Sequence, residues 1–130
     1  MNPPADDFAL ALVVDNAFLP GAFVTIDSFR RHHRWFTGAI IIIHDESLDE
    51  KSQNALTETF DRVRFQPART STRDRLTALA QARPYFHDLQ RRFYSLEIFA
   101  LRDVSRVLFC DADLLFQAPI NDMLALDEPF

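Results

Sequence analysis

Arg106-Val107-Leu108-Phe109-Cys110-Asp111-Ala112-Asp113-Leu114-Leu115 is the stretch that decides the fold. The apolar run that ends at Cys110 predicts a strand buried on both faces, as in a parallel sheet. Two carboxylates, Asp111 and Asp113, follow it at once, and carboxylates beside buried chain need a positive partner. Paired oxygen ligands with open coordination positions suit Mg²⁺ or Mn²⁺. The stretch therefore predicts a strand that ends at a divalent-metal site.

Two other interpretations of the acidic pair stay open at this point. In the first, Asp111 caps a turn or helix and Asp113 is simply solvated. In the second, the protein is a haloacid-dehalogenase-like phosphatase that uses Asp111 as nucleophile and Asp113 as acid/base. The second is disfavoured because the motif ends the last strand of the chain, and only 17 residues follow Asp113 to carry further motifs.

Upstream of this stretch, strands and helices alternate. Apolar runs predict strands over residues 8–14 and 39–43. Alternation of polar and apolar residues predicts a short third strand over residues 62–65, stopped by Pro67. Helices are predicted after the turn Leu19-Pro20-Gly21, over residues 47–60, around residues 76–80 and over residues 90–101, with a loop at 68–75 and a short helix after Pro119. Ser47-Leu48-Asp49-Glu50 has the spacing of a capping box.

This alternation predicts an α/β fold, a doubly wound sheet with right-handed crossovers. Ligands of such sheets bind beyond the carboxyl ends of the strands. Asp15 follows the first strand, and Asp111 with Asp113 follows the last. We therefore expect the chemistry at that edge of the sheet.

Composition excludes several classes of protein. The chain has 130 residues, enough for one domain with a core, and a formal charge of −5, which argues against a nucleic-acid partner. The single cysteine, Cys110, predicts an inert buried thiol in a reducing compartment. Residues 1–7 lack the pattern of a secretory signal, and no apolar run, Ala39–Ile43 included, is long enough to cross a membrane. We expect a cytoplasmic protein without a transmembrane segment, with peripheral membrane attachment left open.

Two stretches also resemble a known family. They are Phe8–Ala22 followed by Ser28–His32, and Phe99–Leu115 followed by Pro119-Ile120. Together they resemble glycosyltransferase family 8, the glycogenin- and galactosyltransferase-like enzymes. The resemblance implies a GT-A (Rossmann-like) nucleotide-diphospho-sugar transferase fold, with a mostly parallel sheet flanked by helices.

The function implied by the resemblance is retaining transfer of a hexose from a UDP-sugar to a saccharide or glycoconjugate, with Mn²⁺ or Mg²⁺. Asp111 and Asp113 would be metal ligands, and Ala112 would contact the ribose through its backbone. Phe18 stands where the family usually has a Tyr that stacks on the base. The lining of the uracil and ribose site would come from Leu12, Val13, Val14 and Asp15.

Departures from the family lie at the donor phosphate and at the end of the chain. Ser95 occupies the place of a Lys or Arg that usually meets the donor phosphate, so Arg83, Arg91 or Arg92 would have to substitute. The family's third metal ligand, a His, and its acceptor-binding part follow the acidic pair at a distance that this chain does not reach. The four histidines present are expected to be surface or cap residues.

Residues 1–130 would then be the N-terminal nucleotide-sugar and metal-binding part of a GT-A domain, with the acceptor-binding C-terminal part absent. A non-catalytic nucleotide-sugar-binding fragment is the alternative to an active transferase, and no catalytic nucleophile or base is assigned. An unpaired sheet edge would favour association into a homo-oligomer.

Overall fold

The fold is an open sheet with helical layers on both faces. The computed structural model describes residues 8–126, apart from the side chains of residues 87 and 88. The strands are β1 (Phe8–Val13), β2 (Ile40–His44), β3 (Val63–Pro67) and β4 (Arg106–Phe109). The helices are α1 (Leu19–His32), α2 (Glu50–Thr59), α3 (Thr70–Ala82) and α4 (Asn121–Leu124), with a 3₁₀ segment over Pro84–Ala100. The expectations about residues 1–7 and about the last residues, 127–130, lie outside the described residues.

All four strands run parallel in the order β3-β2-β1-β4. Leu10 of β1 is in register with Ile40 on one side and with Leu108 on the other. The chain builds outward from β1 to β3 and then returns to place β4 on the opposite side of β1. The order therefore reverses between β1 and β4, which is where open α/β sheets bind ligands. The α/β class and the mostly parallel sheet predicted from the sequence are confirmed.

Alternate residues of the central strands enter two separate cores, which explains why these strands are apolar without interruption. On one face, Leu10, Leu12 and Ile42 pack with residues of α1 and α2. On the other face, Ala9 and Ala11 pack with residues of α3 and the 3₁₀ segment. The small alanine side chains let that layer lie close to β1.

Helix starts differ from the sequence prediction at two places near β1 and β2. Leu19, Pro20 and Gly21, predicted as a turn, form the first turn of α1, where proline is well tolerated because its missing N–H has no partner there. Ser47 does not cap α2. Asp49 does, accepting a hydrogen bond from the Ser52 N–H at 2.8 Å.

The loop predicted at 68–75 is wrong from residue 70 onward, because α3 begins at Thr70. Arg69, the residue before the helix, has no capping side chain of its own. Its backbone N–H instead donates a hydrogen bond of 3.2 Å to a carboxylate oxygen of Glu97, 28 residues later in the chain. A cap supplied from another element leaves no local signature, so the pattern rules could not place this helix start.

The largest difference concerns the helix predicted over residues 90–101. It is wound as a 3₁₀ segment, with three residues per turn, over the whole of Pro84–Ala100. The helical period predicted Phe93, Leu96, Glu97 and Ala100 on the inward face. Glu97 is buried as expected, but Phe93 and Leu96 are 38% and 52% exposed, and Tyr94 is buried in their place. A period of 3.0 instead of 3.6 accounts for this change.

Strand β3 extends to Pro67, two residues beyond its predicted end. Because β3 is an edge strand, it can include a residue that has no N–H to donate.

None of the helices within residues 8–126 combines the length and the apolar character needed to cross a bilayer.

His33 ties the end of α1 to the segment after β4. It is fully buried at the C-cap of α1 rather than on the surface. One ring nitrogen, Nδ1, lies 2.7 Å from the carbonyl oxygen of Phe29, and Nε2 accepts from the Ile120 N–H at 2.9 Å. These partners fix the neutral tautomer with the proton on Nδ1. Burial is the main cause that lowers the pKa of His33, and it outweighs the hydrogen bond to Phe29.

We expect the free energy of unfolding to fall as the pH drops below about 6.5, the ordinary pKa of histidine in an unfolded chain. The unfolded chain takes up a proton on His33 first, because the folded-state pKa is lower. Stability that is complete above the unfolded pKa is therefore lost between that pKa and the lower folded one. Urea unfolding at a series of pH values measures this loss.

His33→Gln should reduce this pH dependence, while His32→Gln, at the preceding position, should retain it. If the free energy of unfolding of His33→Gln falls with pH as much as that of the wild-type chain, His33 is not the source of the pH dependence.

Candidate functional site

A cavity of about 380 Å³ opens at the carboxyl ends of β1, β2 and β4. It therefore lies at the reversal of strand order between β1 and β4, as the topology predicts. Its lining comes from the three strand ends and the 3₁₀ segment: Val13, Val14, Asp15, Phe18, His44, Asp45, Ser47, Arg91, Arg92, Tyr94, Phe109, Asp111, Ala112 and Asp113.

Asp111 and Asp113 both line the cavity and are both exposed. Among the described residues, neither carboxylate has a hydrogen bond or ion pair, so no local backbone amide occupies them. The interpretation of Asp111 as the cap of a turn is therefore not supported. Two unpaired carboxylates at one cavity create a negative potential that favours a cation.

The donor set fits a hard divalent cation. Both side chains offer only oxygen, which suits Mg²⁺ or Mn²⁺ rather than a thiophilic metal. Within residues 8–126, however, no group of three or more His, Cys, Asp or Glu side chains is placed to hold a metal. The pair would thus leave coordination positions for water and for ligand oxygens.

Helix α1 holds the chain that carries the acidic pair. A Cβ atom added at Gly21 would lie 2.1 Å from the Ala112 carbonyl oxygen, so only glycine permits this approach. The hydroxyl of Thr25 donates to the Leu114 carbonyl and accepts from the Leu114 N–H, both at 2.9 Å. Ser28 Oγ accepts from the Phe116 N–H at 3.0 Å. Side chains of α1 thus take the place of a neighbouring strand for the segment after β4.

Asp15 closes the turn from β1 into α1. Its Oδ1 accepts from the Phe18 N–H at 2.8 Å, and its Oδ2 lies 3.5 Å from Arg91 Nη1. Phe18 is 51% exposed and lines the cavity, so it is not an ordinary core aromatic. The turn therefore presents a carboxylate and an accessible aromatic ring to the same space.

Asp45, after β2, is a cavity residue that the sequence analysis missed. It is buried, and it accepts from the Ser47 N–H at 2.8 Å and from the Tyr94 hydroxyl at 3.0 Å, with Arg91 Nε at 3.4 Å. Burial acts to raise the pKa of Asp45, but the hydrogen bonds from Ser47 and Tyr94 and the charge of Arg91 outweigh it and lower the pKa. Asp45 is therefore a stable carboxylate in the wall of the cavity.

Arg91, Tyr94 and Glu97 recur every three residues, so they align along one side of the 3₁₀ segment. Arg91 reaches Asp15 and Asp45, and Tyr94 donates to Asp45. Glu97 is buried and accepts from the Arg69 backbone N–H, from Arg69 Nε at 3.1 Å and from the Thr72 hydroxyl. We call these three residues the polar column. It joins α3 to the cavity, and the spacing of three was the signal that could have revealed it.

Three residues expected at the site are not among those that line the cavity. Leu12 is fully buried in the core. Ser95 donates to the Arg92 carbonyl at 3.1 Å. Arg83 is the exposed C-cap residue that follows α3. Of the three arginines considered as substitutes for the missing cation, the structure brings Arg91 and Arg92 to the cavity and does not bring Arg83.

Comparison with known proteins gives a family and a fold. A family model described as "Glycosyl transferase family 8" matches residues 9–129. Among solved structures, the chain is similar to the galactosyltransferase LgtC, which was crystallised with donor and acceptor sugar analogues, with a TM-score of 0.70 and 13% sequence identity. The match covers 92% of this chain and 42% of LgtC, so the chain spans less than half of that protein. No curated protein matches the sequence.

Gly21→Ala should destabilise the fold by about 1–3 kcal/mol, the usual range for overpacking, because the added methyl group must displace the Ala112 backbone. Urea unfolding measures the change. Val24→Ala, at an exposed position of the same helix, is the matched control and should change stability little. A Gly21→Ala protein as stable as the control would show that this contact is not tight.

Cys110 should resist alkylation in the folded protein. Burial, with a further contribution from the charge of Asp111, raises the pKa of the thiol to about 12. Because the thiolate is the reactive form, iodoacetamide near pH 8 should modify Cys110 only after unfolding in urea. Rapid modification of the folded chain, followed by mass spectrometry, would contradict its buried position.

Proposed function

The chain belongs to glycosyl transferase family 8, and from this premise we propose that its cavity binds a UDP-sugar donor for retaining transfer of a hexose. The observation that carries the proposal is the pair of unpaired carboxylates, Asp111 and Asp113, at the reversal of strand order. The experiment that tests it is binding of UDP with and without a divalent cation.

The charges of the cavity support a metal-dependent mode of binding. Asp15 and Asp45 are paired with Arg91, whereas Asp111 and Asp113 have no pairing guanidinium among the described residues. A diphosphate beside two unpaired carboxylates would be repelled. We propose that Asp111 and Asp113 hold Mn²⁺ or Mg²⁺, which when bound would supply Lewis acidity to the diphosphate leaving group.

The remaining lining suits a nucleoside. Phe18 offers an accessible ring on which uracil can stack. Val13 and Val14 provide an apolar wall next to it, and the backbone of Ala112 lies between the two acidic residues. We propose that these groups, with Asp15, orient the uridine so that its diphosphate points toward Asp111 and Asp113.

In the proposed reaction, the bond between the sugar's anomeric carbon and the diphosphate oxygen breaks. A new bond forms to a hydroxyl of a saccharide or glycoconjugate acceptor, with retention at the anomeric carbon. Arg91 and Arg92 are the cationic side chains of the cavity. We propose that they face the phosphates in place of the Lys or Arg for which this chain has Ser95. We further propose that residues 1–130 form the donor- and metal-binding part of the domain.

A non-catalytic nucleotide-sugar-binding module is the second candidate. It is favoured by the lack of a third metal-ligating side chain among residues 8–126. It differs from the transferase only in turnover, so release of UDP from a UDP-sugar in the presence of acceptors separates the two.

We expect UDP and Mn²⁺ together to raise the melting temperature, and either alone to have little effect. The stabilisation should approach roughly 3 kcal/mol at about one hundred times the Kd, since a ligand that binds only the folded state shifts the unfolding equilibrium. Differential scanning fluorimetry measures the shift.

Asp111→Asn and Asp113→Asn keep the shape of the side chain but remove its charge, and each should abolish the joint effect. Asp74→Asn, at an exposed position of α3, is the control and should behave as the wild type. Equal stabilisation of Asp111→Asn, or stabilisation by UDP without metal, would refute the metal-dependent site.

The phosphatase interpretation gives a different result in a second assay. A protein that uses Asp111 as nucleophile would hydrolyse p-nitrophenyl phosphate with Mg²⁺, and Asp111→Asn would lose that activity. We expect no hydrolysis above the background of the Asp111→Asn variant.

A further inference from the structure

A second cavity, of about 370 Å³, lies at the amino ends of the strands, whereas the acidic pair lies at their carboxyl ends. It is bordered by the connection from α1 to β2 and the connection from α2 to β3, which enter the amino ends of those strands. It is thus separate from the cavity at the carboxyl ends of the strands, which is proposed above to bind the sugar donor and is called the donor cavity below. Its lining residues are Arg30, His33, Arg34, Phe36, Thr37, Asp61 and Arg62.

The lining of this cavity is basic although the protein as a whole is acidic. Three guanidinium groups face one carboxylate, that of Asp61, which gives a formal charge of +2 where the chain carries −5. His33 adds no charge in its neutral form, because both ring nitrogens have backbone partners. The C-terminal dipole of α1 accounts for basic residues at its end, but not for Arg62, which comes from another connection.

Arg30 is held in place with hydrogen-bonding capacity left over. Its Nη2 donates to the Asp61 carbonyl at 2.6 Å, and its guanidinium carbon lies 5.7 Å from the centre of the Phe60 ring. Its Nε is buried and has no hydrogen-bond partner within the part of the chain that the structure describes. A buried N–H without an acceptor is unfavourable, and an anion accepting from this guanidinium would offset that cost.

Arg62 is held in a strained backbone conformation. Its φ of 58° is the only positive value at a non-glycine residue among those described. The left-handed region is unfavourable for a residue with a long side chain, and such strain persists where the surroundings enforce it. Arg62 Nη1 donates to the Thr37 carbonyl, which draws the guanidinium across to the connection before β2.

Arg34 completes the set. It is exposed, and it has no hydrogen bond or ion pair among the described residues. Its guanidinium is therefore available to a ligand without the loss of an internal contact.

We propose that this cavity binds a phosphate-bearing anion through the guanidinium groups of Arg30, Arg34 and Arg62. Planar guanidinium groups match phosphate oxygens in pairs, which makes a phosphate the anion that three of them recognise best. The phosphate can belong to a free small molecule or to the headgroup of an anionic lipid. The proposal is independent of the donor cavity and of its metal.

The chain offers its own probe, because its one tryptophan, Trp35, stands between the lining residues Arg34 and Phe36. We expect a saturable change in Trp35 fluorescence on titration with inorganic pyrophosphate in the presence of EDTA, which keeps metal from the donor cavity. Arg34→Gln should weaken this binding about tenfold, the effect of one charge-assisted hydrogen bond.

Arg62→Gly should weaken pyrophosphate binding by a similar factor while keeping or improving stability, since glycine accepts the left-handed conformation. This variant keeps the test valid if substitutions of half-buried Arg30 unfold the chain. Arg75→Gln removes one charge from the exposed surface of α3 and should bind as the wild type does.

A cosedimentation arm with vesicles distinguishes the two sources of phosphate. Binding to vesicles of phosphatidylcholine with phosphatidic acid, lost in Arg34→Gln and Arg62→Gly but not in Arg75→Gln, assigns the cavity to a lipid headgroup. Saturable binding of pyrophosphate with no such vesicle binding assigns it to a free anion. The absence of both, or equal weakening in Arg75→Gln, overturns the proposal.

Discussion

The site depends on the close contact between α1 and the segment that follows β4. At Gly21 the helix backbone approaches the Ala112 carbonyl more closely than any side chain would allow. Farther along α1, Thr25, Ser28 and His33 then satisfy backbone groups of that segment, which runs along the helix without a neighbouring strand. Buried backbone groups need such partners, so the helix fixes where the chain goes after Cys110. The position of both aspartates follows from that path.

The charges of the cavity at the carboxyl ends of the strands divide into two kinds with different physical roles. Asp15 and Asp45 are engaged by backbone amides, hydroxyls and Arg91, and so they shape the cavity. Asp111 and Asp113 are left without such partners in the described part of the chain. Protein groups thus stabilise the charges of the first pair, and we propose that a ligand stabilises those of the second. This division is the physical basis for proposing a cation at one side of the cavity only.

The sequence predicted what depends on uninterrupted or locally periodic patterns. The buried strands, the parallel sheet and the accumulation of acids at their carboxyl ends follow from β1, β2 and the stretch before Asp111. The start of α3 could not be predicted, since the N–H of Arg69, the residue before the helix, is satisfied by Glu97 from a distant element. Asp45 and Tyr94 were missed for a similar reason: their hydrogen bond joins positions 49 residues apart. The 3₁₀ winding that aligns Tyr94 with Arg91 also departs from the usual helical period.

The winding of the segment Pro84–Ala100 connects its geometry to the electrostatics of the cavity. A 3₁₀ helix turns about 20° more per residue than an α-helix. If the six residue steps between Glu97 and Arg91 were α-helical instead, Arg91 would be rotated by about 120° relative to Glu97. With Glu97 anchored at α3, the guanidinium would leave Asp15 and Asp45 and swing out of the cavity. The winding of this one segment thus determines whether a guanidinium lies beside the two carboxylates in the wall of the cavity.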